Sequence, residues 1–173
     1  MKKTLKIALI AILFVGLLLS GCSSSPDNPG PATATVGEIA PDFKLKNLEG
    51  KVVSLRSFEN KPVLVNFWAT WCGACLYEMP ILEQIYEEWS EKGLVMLAIN
   101  VGESPAKIQS FLKRYNFSIP VLLDTTETVA RKYGVTGWPT TFLIDRDGVV
   151  QDRVIGAFPS KAELEKRLSK IIP

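Results

Sequence analysis

Residues 63–75 read VLVNFWATWCGAC, and this stretch decides the fold. Its first part, Val63 to Ala69, is an almost continuous apolar run with β-branched residues, which predicts a strand buried on both faces. The part from residue 72 to residue 91 predicts a helix, with a kink at Pro80 because proline lacks the N–H that a helix interior needs. The two cysteines therefore lie where a buried strand gives way to a helix.

Strands and helices alternate along the chain on both sides of this stretch. Two short segments with alternating polar and apolar residues flank the turn at 47–50, which predicts an N-terminal β-hairpin. Ser104-Pro105 and a capping box from Ser160 to Glu163 mark helix starts, and Asp147-Gly148 is a strong hairpin signal. The predicted strands are 42–46, 51–55, 63–69, 94–101, 120–123, 140–145 and 149–155, and the predicted helices are 72–91, 105–115, 126–133 and 160–171. Helices between buried strands predict an α/β fold in which helices cover a central sheet on both faces.

Two cysteines separated by two residues at a helix start favour thiol–disulfide exchange. A thiol at a helix N-terminus faces unpaired N–H groups and the positive end of the helix dipole, and both stabilise the reactive thiolate. Cys72 is therefore the predicted nucleophile that attacks a substrate disulfide. Cys75, one turn inside and shielded, then attacks the Cys72 sulfur and releases the reduced product. Half of an intersubunit zinc site and an inert structural disulfide remain as alternatives.

Composition excludes several classes of catalytic and metal site. The 173-residue chain contains no histidine, which rules out a Ser-His-Asp triad, a Cys-His pair, an HExxH zinc site and a His-ligated copper site. Lys and Arg total 20 while Asp and Glu total 18, so the net charge of +2 gives no electrostatic footprint for nucleic acid. The length suits one domain, and 47% hydrophobic residues are enough for its core. Three cysteines leave one thiol outside the paired motif.

The first 22 residues are typical of a targeting segment. Lys2, Lys3 and Lys6 precede an apolar run of 13 residues at 7–19, which is shorter than the roughly 20 residues of a membrane-spanning helix. The run ends in LSGC, a pattern that resembles the bacterial lipobox, in which the cysteine, here Cys22, is lipidated and becomes the new N-terminus. A plain signal peptide with a chance cysteine is the alternative.

The chain therefore divides into three predicted parts. A lipoprotein signal peptide occupies 1–21, the lipidated cysteine and a flexible tether without large apolar residues occupy 22–35, and a folded domain occupies 36–173. We expect an extracytoplasmic protein that is anchored to a bacterial membrane by acyl chains, since no basic patch remains to bind anionic lipid.

Several motifs carry a resemblance to a known family. They are VNFWATWCGAC at 65–75, GWPTT at 137–141, APDF with Leu45 at 40–45, GK and VSL at 50–55, CLYEMP at 75–80 and NVGES at 100–104. Together they resemble the thioredoxin superfamily, in the AhpC/TSA-redoxin branch that peroxiredoxins share with the TlpA/ResA-like membrane-tethered thiol–disulfide oxidoreductases. The resemblance extends over about 36–173. It implies a thioredoxin-like fold, with a central mixed β-sheet, helices on both faces and an added N-terminal β-hairpin.

The resemblance also implies roles for individual residues. Cys72 is the nucleophile and Cys75 the resolving thiol of a redox-active disulfide that needs no separate cofactor and no metal. Pro139 is the cis-proline opposite them, and Trp138 before it presents its backbone to the substrate chain. Trp71 and Trp138 flank the predicted active surface, so we expect them to shape a narrow apolar docking groove.

Two glutamates match acidic residues of the family. Glu78 lies three residues after Cys75 and therefore shares its helix face, where a partly buried carboxyl would have a raised pKa and could exchange a proton with the thiol. General thioredoxins carry a buried aspartate where this chain has Asn66, which cannot take up a proton and leaves Glu78 as the substitute. Glu103 follows a predicted strand and matches a second acid of the family. A solvated surface glutamate is the alternative at both positions.

These observations predict an extracytoplasmic reductase of protein disulfides. The resemblance implies apocytochrome c as the typical client in cytochrome c maturation, and a CcdA- or DsbD-type membrane protein as electron donor. An exported dithiol needs such a supply because its surroundings would otherwise oxidise it. We expect a monomer. A disulfide oxidase or isomerase is the main alternative, and a thiol peroxidase and a metal-binding module are weaker ones.

Overall fold

One seven-stranded sheet with helices on either side makes up the described part of the chain. The computed structural model describes residues 33–172, so the predicted signal peptide, Cys22 and most of the tether at 22–35 lie outside the described residues. The strands are β1 (Lys44–Asn47), β2 (Val52–Ser54), β3 (Val63–Trp68), β4 (Val95–Val101), β5 (Val121–Asp124), β6 (Thr140–Ile144) and β7 (Val150–Ile155). The helices are α1 (Gly73–Trp89), α2 (Pro105–Tyr115), α3 (Thr128–Lys132) and α4 (Lys161–Leu168), with a 3₁₀ helix at Leu55–Phe58. Among these residues, no helix is both long and apolar enough to cross a bilayer.

The sheet is mixed, as the sequence predicts. Its strand order is β2-β1-β5-β4-β3-β6-β7. The central strands β3, β4 and β5 run parallel, because each is joined to the next by a helix that crosses over the sheet. Strands β6 and β7 extend the β3 side as an antiparallel hairpin. The predicted N-terminal hairpin, β1 and β2, pairs antiparallel with β5 and extends the opposite side.

Side-chain alternation along β3 divides the core between the two faces of the sheet. Leu64 and Trp68 point to the face covered by α1, α2 and α4, whereas Val63, Val65 and Phe67 point to the face covered by α3 and the N-terminal segment. All six residues of β3 are buried, as the continuous apolar run predicts. Asn66 lies on the same face of the strand as Leu64 and Trp68, and its side chain therefore points toward α1.

Helix ends show where local signals and the fold agree or differ. Ser160 caps α4 by accepting a hydrogen bond from the Glu163 N–H at 3.3 Å. The Glu163 carboxylate binds the Arg167 guanidinium at 2.9 Å, one turn along the helix, so the predicted reciprocal capping box is only half formed. Helix α1 is continuous from Gly73 to Trp89 through Pro80.

The functional candidates gather at one edge of the sheet. Parallel strands β3 and β4 end side by side, with Trp68 opposite Asn100. The antiparallel strand β6 begins at the same edge, where Thr140 lies opposite Phe67. The start of α1, the start of α2 and the residues before β6 therefore meet in space, although they are far apart in the chain.

Candidate active site

Cys72 forms the N-cap of α1. Its backbone is extended, with φ −86° and ψ 107°, and its Sγ accepts a hydrogen bond from the Cys75 N–H at 3.1 Å. The two residues are joined by a disulfide, with their Cα atoms 5.2 Å apart. In the reduced protein, the same N–H groups at the helix start would stabilise a thiolate on Cys72.

The two sulfurs differ in their access to solvent. Cys72 is 7% exposed and Cys75 is 1% exposed, so Cys72 is the more accessible of the two to a substrate disulfide. This difference fits the division between an attacking and a resolving thiol.

The tryptophan that precedes Cys72 contacts a second tryptophan, which is followed by a proline. Trp71, next to Cys72, is 64% exposed, and its ring lies 5.7 Å from that of Trp138. The Trp138–Pro139 peptide bond is cis. Tyr77 on α1 and Ile155 at the end of β7, opposite Thr140, are also exposed large side chains. The contact between the two indole rings thus brings together Trp71, Trp138 and Pro139, the three residues that we expect to contact substrate.

Glu78 is a fully buried carboxyl on the first turns of α1. Its Oε1 accepts the Phe158 N–H at 3.1 Å, and its Oε2 accepts the Asn66 amide at 2.9 Å. Burial raises the pKa of Glu78 from 4.5 to about 7, and the two hydrogen bonds oppose that rise. The carboxyl can therefore hold a proton and release it near neutral pH, which a solvated surface glutamate could not do.

The two direct partners of this carboxyl, and the residue behind one of them, could not be found from motif spacing. Asn66 donates its second amide hydrogen to Thr141 Oγ1 at 2.9 Å, which ties Glu78 to β6. Phe158 lies 80 positions after Glu78, in the segment that follows β7. The one signal in the sequence was a polar residue inside the apolar run of β3.

Glu103 is placed against the loop that precedes Cys72. Its carboxylate accepts the Thr70 N–H and the Thr70 hydroxyl, each at 2.7 Å, and the Asn100 amide at 2.9 Å. Lys107 pairs with it at 2.6 Å. Burial alone would raise the pKa of Glu103, but the hydrogen bonds from Lys107, Thr70 and Asn100 outweigh it and lower the pKa. Glu103 is therefore suited to stay ionised and to hold this loop in place, rather than to accept and release a proton.

The site can support two-electron chemistry without any further group. It combines an accessible sulfur, a shielded sulfur and a carboxyl that titrates near neutral pH. Within residues 33–172, no three His, Cys, Asp or Glu side chains are close enough together to hold a metal ion.

Comparisons with known proteins agree with this geometry. The model of the AhpC/TSA family matches residues 36–153. The thiol-disulfide oxidoreductase ResA of Bacillus thuringiensis is 39% identical over 138 residues, which cover 80% of this chain and 79% of that protein.

Solved structures give the same result for the fold. A Chlorobium tepidum protein assigned as a thiol:disulfide interchange protein DsbE superposes with a TM-score of 0.76 at 33% identity, over 82% of this chain and 100% of that chain. The exposed lipoprotein thioredoxin Etrx1 of Streptococcus pneumoniae superposes with a TM-score of 0.66 at 28% identity, over 75% of this chain and 99% of that one. The predicted thioredoxin-like fold is thereby confirmed.

Proposed function

This chain belongs to the AhpC/TSA family and is a thiol–disulfide oxidoreductase, and from that premise we propose that it reduces disulfides of protein substrates outside the cytoplasm. The observation that carries the proposal is the pairing of an accessible Cys72 at a helix start with a buried Glu78 that titrates near neutral pH.

The reaction proceeds in two exchanges. The Cys72 thiolate attacks one sulfur of a substrate disulfide and displaces the other as a thiolate, which leaves Cys72 and substrate joined. Cys75 then loses its proton and attacks the Cys72 sulfur, which forms the Cys72–Cys75 disulfide and releases the second substrate sulfur. The enzyme loses two electrons and the substrate gains them. The dithiol product takes up two protons from solvent, which balance the one that Cys75 gives up and the one that Cys72 had released on becoming a thiolate.

Glu78 is the proposed proton acceptor for Cys75. Its place one helical turn after Cys75 suits it to the resolving step rather than the first attack. A base works best when its pKa lies near the ambient pH, and a value of about 7 meets that condition. Glu103, held ionised against Thr70, is proposed to keep the loop before Cys72 in place.

The exposed side chains around the disulfide are proposed to select protein substrates. Trp71, next to Cys72, is in ring contact with Trp138, and Pro139 follows Trp138 across a cis peptide bond. We propose that these residues form one surface of aromatic rings and backbone for the substrate chain. An extended segment that carries a disulfide fits such a surface better than a small peroxide does. Apocytochrome c, with its closely spaced cysteine pair, is the proposed client.

Each turnover leaves the enzyme oxidised, so a reductant must restore it. We place this role with a membrane protein of the CcdA or DsbD type, because an extracytoplasmic dithiol has no access to cytosolic reductants. The proposed lipid on Cys22 and the tether at 22–35 would keep the domain at 36–173 near that membrane. The exposed lipoprotein among the structural relatives supports this arrangement.

The reduction potential of the Cys72–Cys75 pair tests the proposal. The chain is equilibrated in thiol–disulfide buffers, and tryptophan fluorescence reports its redox state because Trp71 adjoins Cys72. A reductase should give a value near or below about −240 mV, on a scale from about −270 mV for thioredoxin to about −120 mV for DsbA. A value above about −180 mV would assign the chain to disulfide formation or isomerisation instead.

A further inference from the structure

Asn66 is a polar residue in a strand that has no structural need for one. The other residues of β3 are Val63, Leu64, Val65, Phe67 and Trp68, and all six are buried. A buried amide stabilises a fold only when its donors and acceptor are all paired. In this case the pairing is incomplete, because within residues 33–172 Asn66 Oδ1 has no hydrogen-bond partner. The residue therefore weakens the core in return for its two donors.

Both donors of the amide are directed at the active-site network. One N–H binds Glu78 Oε2 and the other binds Thr141 Oγ1, each at 2.9 Å. The opposite amide orientation would set Oδ1 against the carboxylate oxygen and take the NH₂ group away from both of its acceptors. Glu78 and Thr141 together therefore fix which end of the amide faces the carboxyl.

We propose that Asn66 is a positioning residue for Glu78. Its amide, which Thr141 orients, donates a hydrogen bond to Oε2 and cannot itself titrate. This hydrogen bond stabilises the charged form of the buried carboxyl. The inference rests on the proposed function, in which Glu78 accepts the proton of Cys75. It goes beyond that function because it makes a residue of strand β3 a determinant of the proton affinity of Glu78 on α1.

The surroundings of Glu78 leave few other groups that could do this. No ion pair reaches Glu78 within residues 33–172. The two cysteines at the start of its own helix, Cys72 and Cys75, are joined as a disulfide and carry no titrating thiol in this form. The groups that face it from β3 and from the segment before α4 are the neutral amide of Asn66 and the Phe158 N–H. Strand β6 contributes the Thr141 hydroxyl, which acts through Asn66. Two neutral donors thus oppose the effect of burial.

Titration of the Glu78 carboxyl by NMR tests the proposal directly. The full chain, purified in mild detergent as its disulfide form, is labelled with ¹³C at the glutamate side-chain carboxyls. The Glu78 signal is assigned as the one lost in Glu78→Gln. Wild type is compared with Asn66→Leu, which keeps the size of the side chain and removes the donors. The matched control is Asn100→Leu, because Asn100 is a buried asparagine of the adjacent strand β4 that donates to Glu103.

Asn66→Leu should raise the titration midpoint of Glu78 by about one pH unit or more, since a hydrogen bond to a charged group is lost. Asn100→Leu should leave the midpoint in place. Thr141→Val should raise it by a smaller amount, and this variant decides the question if Asn66→Leu does not fold. An unchanged midpoint in Asn66→Leu, or an equal shift in Asn100→Leu, would overturn the inference.

The measurement is independent of catalysis. It uses the disulfide form and no substrate, so a wild-type chain that failed to reduce protein disulfides would refute the proposed function and leave the midpoints valid. Conversely, an unchanged Glu78 midpoint in Asn66→Leu would refute the role of Asn66 and would leave the proposed exchange between Cys72 and Cys75 unaffected.

Discussion

Replacing Glu78 by glutamine should change how the stability of the protein depends on pH. Burial raises the pKa of Glu78 from 4.5 to about 7 in the folded chain. As pH rises, the unfolded chain releases this proton near 4.5, whereas the folded chain holds it until about 7. Between these values the folded state binds more protons, so the stabilising effect is complete below pH 4.5 and is lost as pH rises through about 7.

The size of the effect follows from the size of the shift. Each pKa unit corresponds to about 1.4 kcal/mol, so a rise from 4.5 to about 7 amounts to about 3 kcal/mol of unfolding free energy. Glutamine has the same shape and does not titrate. Its carbonyl can accept the Phe158 N–H, so one of the two hydrogen bonds of the carboxyl is kept. We therefore expect Glu78→Gln to fold.

Urea unfolding of the disulfide form between pH 4.5 and 8.5, followed by tryptophan fluorescence, measures the difference. Relative to Glu78→Gln, wild type should lose about 3 kcal/mol of stability across this range, with the steepest change below pH 7. Contributions from Glu103 and Asp152, whose pKa values are lowered, are common to both proteins and cancel. If the two stability curves stay parallel from pH 4.5 to 8.5, the buried carboxyl does not titrate as the structure implies.

Three further outcomes are expected. Cys75→Ser should accumulate a mixed disulfide between Cys72 and a substrate protein, visible on non-reducing gels; a lack of trapped protein would argue against protein clients. Glu103→Gln should lower stability by about 1–3 kcal/mol in urea unfolding at pH 7, because the Thr70 donors lose a charged acceptor; an unchanged midpoint would show that the loop needs no anchor. Trp71→Ala should raise KM for a protein disulfide about tenfold and leave the reaction with a small disulfide unchanged; equal effects on both would count against a docking role.

Local pattern was sufficient for the elements and for the cysteine pair. The apolar run of β3, followed by two cysteines at a helix start, predicted a buried strand, a helix and a thiol pair, since burial and capping follow from spacing along the chain. The hairpin before β3 followed in the same way, and so did the helices that begin after Ser104 and Ser160. Each of these signals lies within a few residues of the feature it predicts.

Only the tertiary structure decided the surroundings of the two glutamates. The motifs marked both as acids, but among residues 33–172 the fold gives the buried Glu78 no counter-charge and gives Glu103 a lysine and three donors. Their pKa values consequently move in opposite directions. The partners that set these values, such as Phe158 and Thr141, come from distant positions that meet only when the helices pack on the sheet. The sequence alone therefore predicted which atoms react, because thiol chemistry belongs to the residue type. The proton affinity of a carboxyl depends on how far the fold excludes solvent from it and on which hydrogen-bond donors the fold places around it. Only the tertiary structure could therefore show the proton affinities of the two glutamates.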